Sequence, residues 1–216
     1  DIFTIEGYVT AGTAVEGNIF FDTIYVQDDT AGTTVFPIAD SGIEVGTKLR
    51  ITGYVDGYQG DKEIQIYSYK VLDDEPYVYA PKEVTTKEAA DYDALGGSLL
   101  KVEGTVTNVV TNSSGVDYFY VMDDSGVEAR VFIDGYILAS DGNDTIAEDA
   151  VVGNVVSAIG LSYYNPDGAC LRVRDRAEIE LVEKAPEVVL SLVTKWGTTY
   201  CVEDRKSTRL NSSHIT

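Results

Sequence analysis

Apolar side chains recur at every second position through most of this chain. In "TIEGYVTAG" Ile5, Gly7 and Val9 fall on one face, and in "KLRITGYV" Leu49, Ile51 and Gly53 do the same. A period of two predicts half-buried strands. The runs are punctuated by Asp28-Asp29-Thr30 before Gly32 and by Asp123-Asp124-Ser125 before Gly126. Aspartate caps a tight turn through its own side chain and glycine accepts positive φ, so both stretches read as hairpin tips.

The pattern occurs twice. "TIEGYVTAG" is answered by "KVEGTVTNV", "FFDTIYVQDDTAGTTVF" by "DYFYVMDDSGVEARVF", and "VGTKLRITGYVDGYQGDKEIQIYSY" by "VGNVVSAIGLSYYNPDGACLRVRDR". Three matched blocks in one order at similar spacing mean two copies of one module, residues 1–73 and 97–182. Each copy predicts five strands: a long first strand, a hairpin through the Asp-Asp turn, a connection, and a hairpin through "GYQGD" or "NPDG". Between the copies, residues 74–96 form a linker. Pro76 and Pro81 favour extended backbone there, and Thr85 with Glu88 has the spacing of a capping box opening a short helix through Ala89 and Ala90 that ends near Gly96-Gly97. Residues 183–203 read as a truncated linker or the start of a further element.

Five strands at this spacing resemble the OB-fold, a partly open Greek-key barrel. The fold class expected is all-β, two tandem OB-fold-like five-stranded Greek-key barrels with a short helical linker. The elements "EGYVTAG", "FFDTIYVQDDTAGTTVFP" and "VGTKLRITGYVDGYQGDKEIQI" are similar to OB-type modules of large secreted or surface-anchored bacterial proteins, where they stand beside nuclease, 5'-nucleotidase or metallophosphatase domains. That resemblance implies an extracellular or cell-surface setting and neighbouring domains of the same longer chain as partners. It implies a non-catalytic spacer or ligand-binding module. The alternatives are a module binding single-stranded nucleic acid or nucleotides, and an accessory part of a nuclease or phosphatase whose catalytic domain lies elsewhere. The second copy departs from the pattern where "NPDGACLRVRDR" replaces "YQGDKEIQI".

Charge narrows the partner. The formal net charge is −20; the first copy holds four basic against twelve acidic residues and the second five against fourteen. Such surfaces repel phosphate unless positive charge is gathered locally. Arg172, Arg174 and Arg176 gather it, alternating along "CLRVRDR" so that a strand would project all three from one face while Leu171 and Val173 point inward. The first copy has Gln65, Tyr67 and Tyr69 at the aligned positions. The favoured reading of the stripe is cross-strand pairing with carboxylates; the sharper one is a face for an anionic ligand gripped by guanidinium forks. The fifteen tyrosines supply candidate stacking platforms. Tyr67 and Tyr69 would share a face of the fifth strand, and Tyr58 sits at the last hairpin, although tyrosine is also an ordinary strand residue.

Other chemistry is sparse. No GxSxG, HExxH, phosphate-loop or dinucleotide motif occurs, so no catalytic residues and no cofactor are expected. The Asp-Asp pairs read as turns. Asp141, Asn143 and Thr145 alternate like the start of a calcium loop, but Val152 stands where a bidentate Glu is needed, and a solvated loop is expected. Cys170 and Cys201 lack metal spacing, and Cys170 reads as a buried free thiol. No apolar run reaches the roughly 18 residues of a membrane span. The final stretch "DRKSTRLNSSHIT", residues 204–216, agrees residue for residue with a translated sequencing adapter and its index, and is expected to be foreign to the protein. Removing it removes His214, the sole histidine. With Asp1 in mid-pattern at the other end, the chain is expected to be an interior fragment of a longer protein from environmental sequence.

Overall fold

The computed structural model describes residues 1–40, 42–186, 190–193 and 199–202. The first copy contains β1 (Phe3–Ala11), β2 (Ile24–Gln27), β3 (Gly32–Phe36), β4 (Lys48–Tyr58) and β5 (Asp61–Val71). They close a barrel in the order β1-β2-β3-β5-β4, with β1 paired to β4 and a single parallel pairing, Val35 opposite Ile64, between β3 and β5.

A connection follows with β6 (Lys82–Glu83), α1 (Thr86–Ala89) and α2 (Tyr92–Leu95). The Thr85 side chain accepts from Glu88 N while Glu88 reaches back to the Thr85 backbone, so the capping box is present in full. The expected helix is split, because Asp91 leaves helical geometry and caps α2 through Ala94 N.

The second copy holds β7 (Leu99–Asn112), β8 (Gly115–Met122), β9 (Glu128–Phe132), α3 (Ile146–Asp149), β10 (Val155–Asn165) and β11 (Gly168–Val173), with β12 (Ile179–Glu183) added along β10. Its pairings repeat those of the first: β7-β8-β9-β11-β10 with β10 returning to β7, and Val131 parallel to Leu171. This is an all-β chain of two barrels with one strand order. The common register makes Gln65 and Arg172 equivalent, and likewise Thr34 and Arg130, because each holds the same place relative to the parallel pair.

Both Asp-Asp turns close as the side-chain chemistry dictates. Asp28 accepts from Thr30 N, Thr30 Oγ1 and Ala31 N, and Asp123 from Ser125 N and from Thr86 N and Oγ1. Desolvation works against ionising either carboxylate, but these donors outweigh it and hold both below the usual range. In the calcium-like loop Asp141 accepts from Asn143 N and Thr145 donates to Asp149.

The first barrel closes around Val9, Ile24, Val26, Val35, Leu49 and Ile51. The second barrel's core is larger, because Ala11, Phe20 and Tyr25 of the first copy pack into it beside Val131, Leu171 and Ile137. The two barrels therefore share a buried seam, and Asp1–Ala185 form one compact unit. At the seam Leu99 N donates to the Gln27 side chain and Leu138 N to that of Asn18. Backbones touch there: a Cβ on Gly32 would stand 2.3 Å from Gly97 O, and one on Gly60, whose φ is +100°, 2.2 Å from the Tyr164 ring. The connection lies on the first barrel, with Tyr77 and Tyr79 edge-on to Tyr8 and Tyr79 Oη donating to Asp29.

Pro186–Thr216 form a second unit, in which β13 (Leu190–Val193) pairs antiparallel with β14 (Thr199–Val202). Residues 204–216, with His214, lie outside the described residues. Among the described residues no helix is long and apolar enough to cross a membrane.

Candidate functional site

The arginine stripe is not an open face. β11 ends at Val173, Arg174 lies just past it and Arg176 opens a 3-10 turn, so the alternation stops before the third arginine. Their side chains are 11%, 16% and 8% exposed. Arg172 pairs with Asp134 through Nε at 2.7 Å and reaches the Tyr25 and Tyr136 hydroxyls, each at 3.3 Å. Its guanidinium lies 4.0 Å from the Phe20 ring centroid and 4.6 Å from that of Tyr163. Burial opposes its charge, but Tyr25 and Asp134 hold it protonated well beyond the ordinary range. Arg174 pairs with Glu178 and donates to Thr10 O of the first barrel. Arg176 joins Ile137 O and Asp144. The stripe is paired with carboxylates, as its favoured reading expected, rather than presented as an open face, and two of its members tie the barrels together.

The tyrosines part as well. A bulge in β5 puts Thr52 opposite Ser68 and Gly53 opposite Ile66, which leaves Tyr67 unpaired and returns Tyr69 to the inner face. Tyr67 is 63% exposed beside Tyr54, whereas Tyr69 packs on the first core. Of the sequence candidates only Tyr58 and Arg172 meet, at a cleft between the barrels.

That cleft has a volume of about 390 Å³. Phe21, Phe36 and Tyr58 wall it from the first barrel and Tyr163 from the second. Beside Thr23, Thr34 and Arg172, its polar lining includes Asp61, Glu63 and Gln65 of β5, where the same period that sends Ile64 to the core sends these three outward. Docking of the second barrel buries that outer face, leaving Asp61 1% and Glu63 8% exposed. Asp61 accepts from Thr34 Oγ1 at 2.8 Å and from Tyr92 Oη at 2.7 Å; Glu63 accepts from Gln65 at 2.6 Å. Desolvation raises the pKa of both carboxyls. Sequence reasoning missed these residues. "DKEIQI" showed a polar face opposite a core face, but not that another barrel covers it.

The second barrel keeps one part of the equivalent surface open. Tyr118 lies opposite Phe132 and Tyr120 opposite Arg130 across β8 and β9. The tyrosine rings meet edge-on at 5.9 Å, with the Arg130 guanidinium 5.6 Å from the Tyr118 centroid. Arg130 is itself buried, donating to Asn165 Oδ1 and Gly168 O and facing Asp167 at 3.6 Å. Tyr120 holds the place that Tyr25 holds in the first barrel, where the seam covers it completely. Cys170, next to this face, is buried, and desolvation pushes its thiol up to about 12, which disfavours the thiolate.

Strand order and closure define the chain as tandem OB-fold barrels. No family model and no curated protein matches it. Solved structures similar to it include a replication protein A heterotrimer bound to single-stranded DNA, at 12% identity and TM-score 0.30 over 87% of this chain and 49% of that one. The chain thus spans about half the length of that protein. The Ifi202 HINa domain in complex with 20-base-pair DNA matches at 12% identity and TM-score 0.36, covering 85% of this chain and 97% of that one. A deletion mutant of the single-stranded DNA-binding protein from Thermus aquaticus matches at 12% identity and TM-score 0.28, covering 86% and 95%.

Proposed function

We propose that the chain is a non-catalytic recognition module in which two OB-fold barrels act as one body, and that it takes up single-stranded nucleic acid by base stacking on Tyr118 and Tyr120. The observation that carries this reading is the asymmetry between the barrels. The face formed by the second and third strands is the usual ligand surface of an OB-fold; the seam buries Tyr25 there, while Tyr120 stays half-open beside Tyr118. Arg130 beneath them is already committed to Asp167, Asn165 and Gly168. Phosphate contacts therefore add little, and two stacked bases at about 1–3 kcal/mol each give weak binding.

Fluorescence anisotropy of a labelled oligothymidine with the chain tests this. The expected result is saturable binding at about 40 μM or weaker, shallow in its salt dependence and lost in Tyr118→Ala/Tyr120→Ala. Absence of saturable binding, or binding indifferent to the double variant, overturns the nucleic-acid reading and leaves a spacer. The spacer reading has its own support: the net charge of −20 disfavours any polyanion.

A further inference from the structure

We propose that the cleft between the barrels is a binding site for an organic cation, an ammonium group on a small apolar body, separate from the tyrosine face of the second barrel. The argument begins with charge. None of the ion pairs among the described residues takes in Asp61 or Glu63. Both are more than nine-tenths buried, and the hydrogen bonds they accept come from uncharged donors, Thr34, Tyr92 and Gln65. Arg172 also lines the cleft, but its charge is matched by Asp134 at 2.7 Å, and its flat face is covered by Phe20 and Tyr163. The Arg172 charge reaches Asp61 only at a distance, so neither carboxylate in this shielded wall has an ion-pair partner of its own, an arrangement that a cation relieves.

The remaining walls fit the same ligand. Phe36 and Tyr58 join the carboxylates from the first barrel, and Phe21 stands at the margin, 77% exposed. Aromatic faces attract a cation through their quadrupole, and an ammonium substituted with methyl groups sheds its water most easily to reach them. A volume of about 390 Å³ admits a small molecule, within the usual range of ligand clefts. An anion would meet Asp61 and Glu63 directly. A neutral ring of the same shape would gain the aromatic contact but leave the carboxylates uncompensated.

Calorimetric titration of the full chain with choline and with its uncharged isostere 3,3-dimethylbutan-1-ol separates charge from shape. Choline is expected to bind saturably and about tenfold more tightly than the isostere. Glu63→Gln, which keeps the side-chain shape and the bonding partner Gln65, is expected to weaken choline at least about fivefold. Tyr58→Leu, a change at a rim position, is expected to weaken it likewise with the circular dichroism spectrum unaltered. Equal affinity for the two ligands overturns the proposal, as does choline binding insensitive to both variants or no binding at 10-mM-order ligand. Tyr118→Ala/Tyr120→Ala leaves choline binding unchanged if the sites are separate; a loss there overturns the assignment to this cleft.

Discussion

Arg172→Ala tests the seam directly. In the wild type the guanidinium is clamped between Phe20 of one barrel and Tyr163 of the other, donating to Asp134 at 2.7 Å with both side chains at least four-fifths buried. Truncation leaves Asp134 desolvated and unpaired, and removes donors from the Tyr25 and Tyr136 hydroxyls. Breaking a buried pair by deleting one partner costs about 3–5 kcal/mol, against about 0–1 kcal/mol for an exposed pair. The arithmetic predicts a fall of that larger size in the unfolding free energy, read from urea titrations followed by far-ultraviolet circular dichroism. Arg172→Met/Asp134→Leu, which removes both charges and keeps volume, is expected to recover most of it. A loss below about 1 kcal/mol in Arg172→Ala would refute the reasoning, since it would place the pair among ordinary surface contacts.

Gly60→Ala is expected to destabilise by about 1–3 kcal/mol in the same titration, because its Cβ would stand 2.2 Å from the Tyr164 ring at a φ of +100°. Tyr67→Ala should leave the urea midpoint nearly unmoved, while Tyr69→Ala, packed on the first core, should cost about 1–3 kcal/mol. Thr85→Ala should cost about 1 kcal/mol by removing the helix cap. For pH, the raised carboxyls of Asp61 and Glu63 contribute stability that is present below their ordinary values of 3.8 and 4.5 and lost as pH rises through the higher folded values. Wild type minus Glu63→Gln stability should therefore fall as pH rises above the ordinary glutamate value of 4.5; a difference that rises with pH would contradict the burial assigned to Glu63.

Much of the fold was legible because strand period, turn chemistry and internal repetition are local signals. The matched blocks placed Gln65 against Arg172, and the barrel register gives the same equivalence. The capping box at Thr85 and Glu88 was likewise written in four consecutive positions. The site was legible only where local pattern decided it. The alternation of three arginines stopped at Val173, where the strand ended, and the shared face of Tyr67 and Tyr69 was undone by one bulged residue. The seam left only an indirect trace: buried Tyr25 and partly exposed Tyr120 occupy equivalent places in two similar segments, and docking covers only the first.

That docking depends on how the copies diverged at equivalent positions. The first barrel presents Thr34, Glu63 and Gln65 where the second presents Arg130, Cys170 and Arg172. Across the seam the second barrel donates, through Arg172, Arg174 and the Leu99 and Leu138 amides, to the Tyr25 hydroxyl, the Thr10 carbonyl and the Gln27 and Asn18 side chains of the first. The consequence reaches the outer surface. Arg130, Arg172, Arg174 and Arg176 are four of the five basic residues in the second copy, and each is buried or paired with a carboxylate. The second barrel thus spends its arginines on internal pairing and gathers no positive charge at its surface. Any ligand it holds must be recognised through aromatic faces or through the carboxylates themselves, not through a cationic groove.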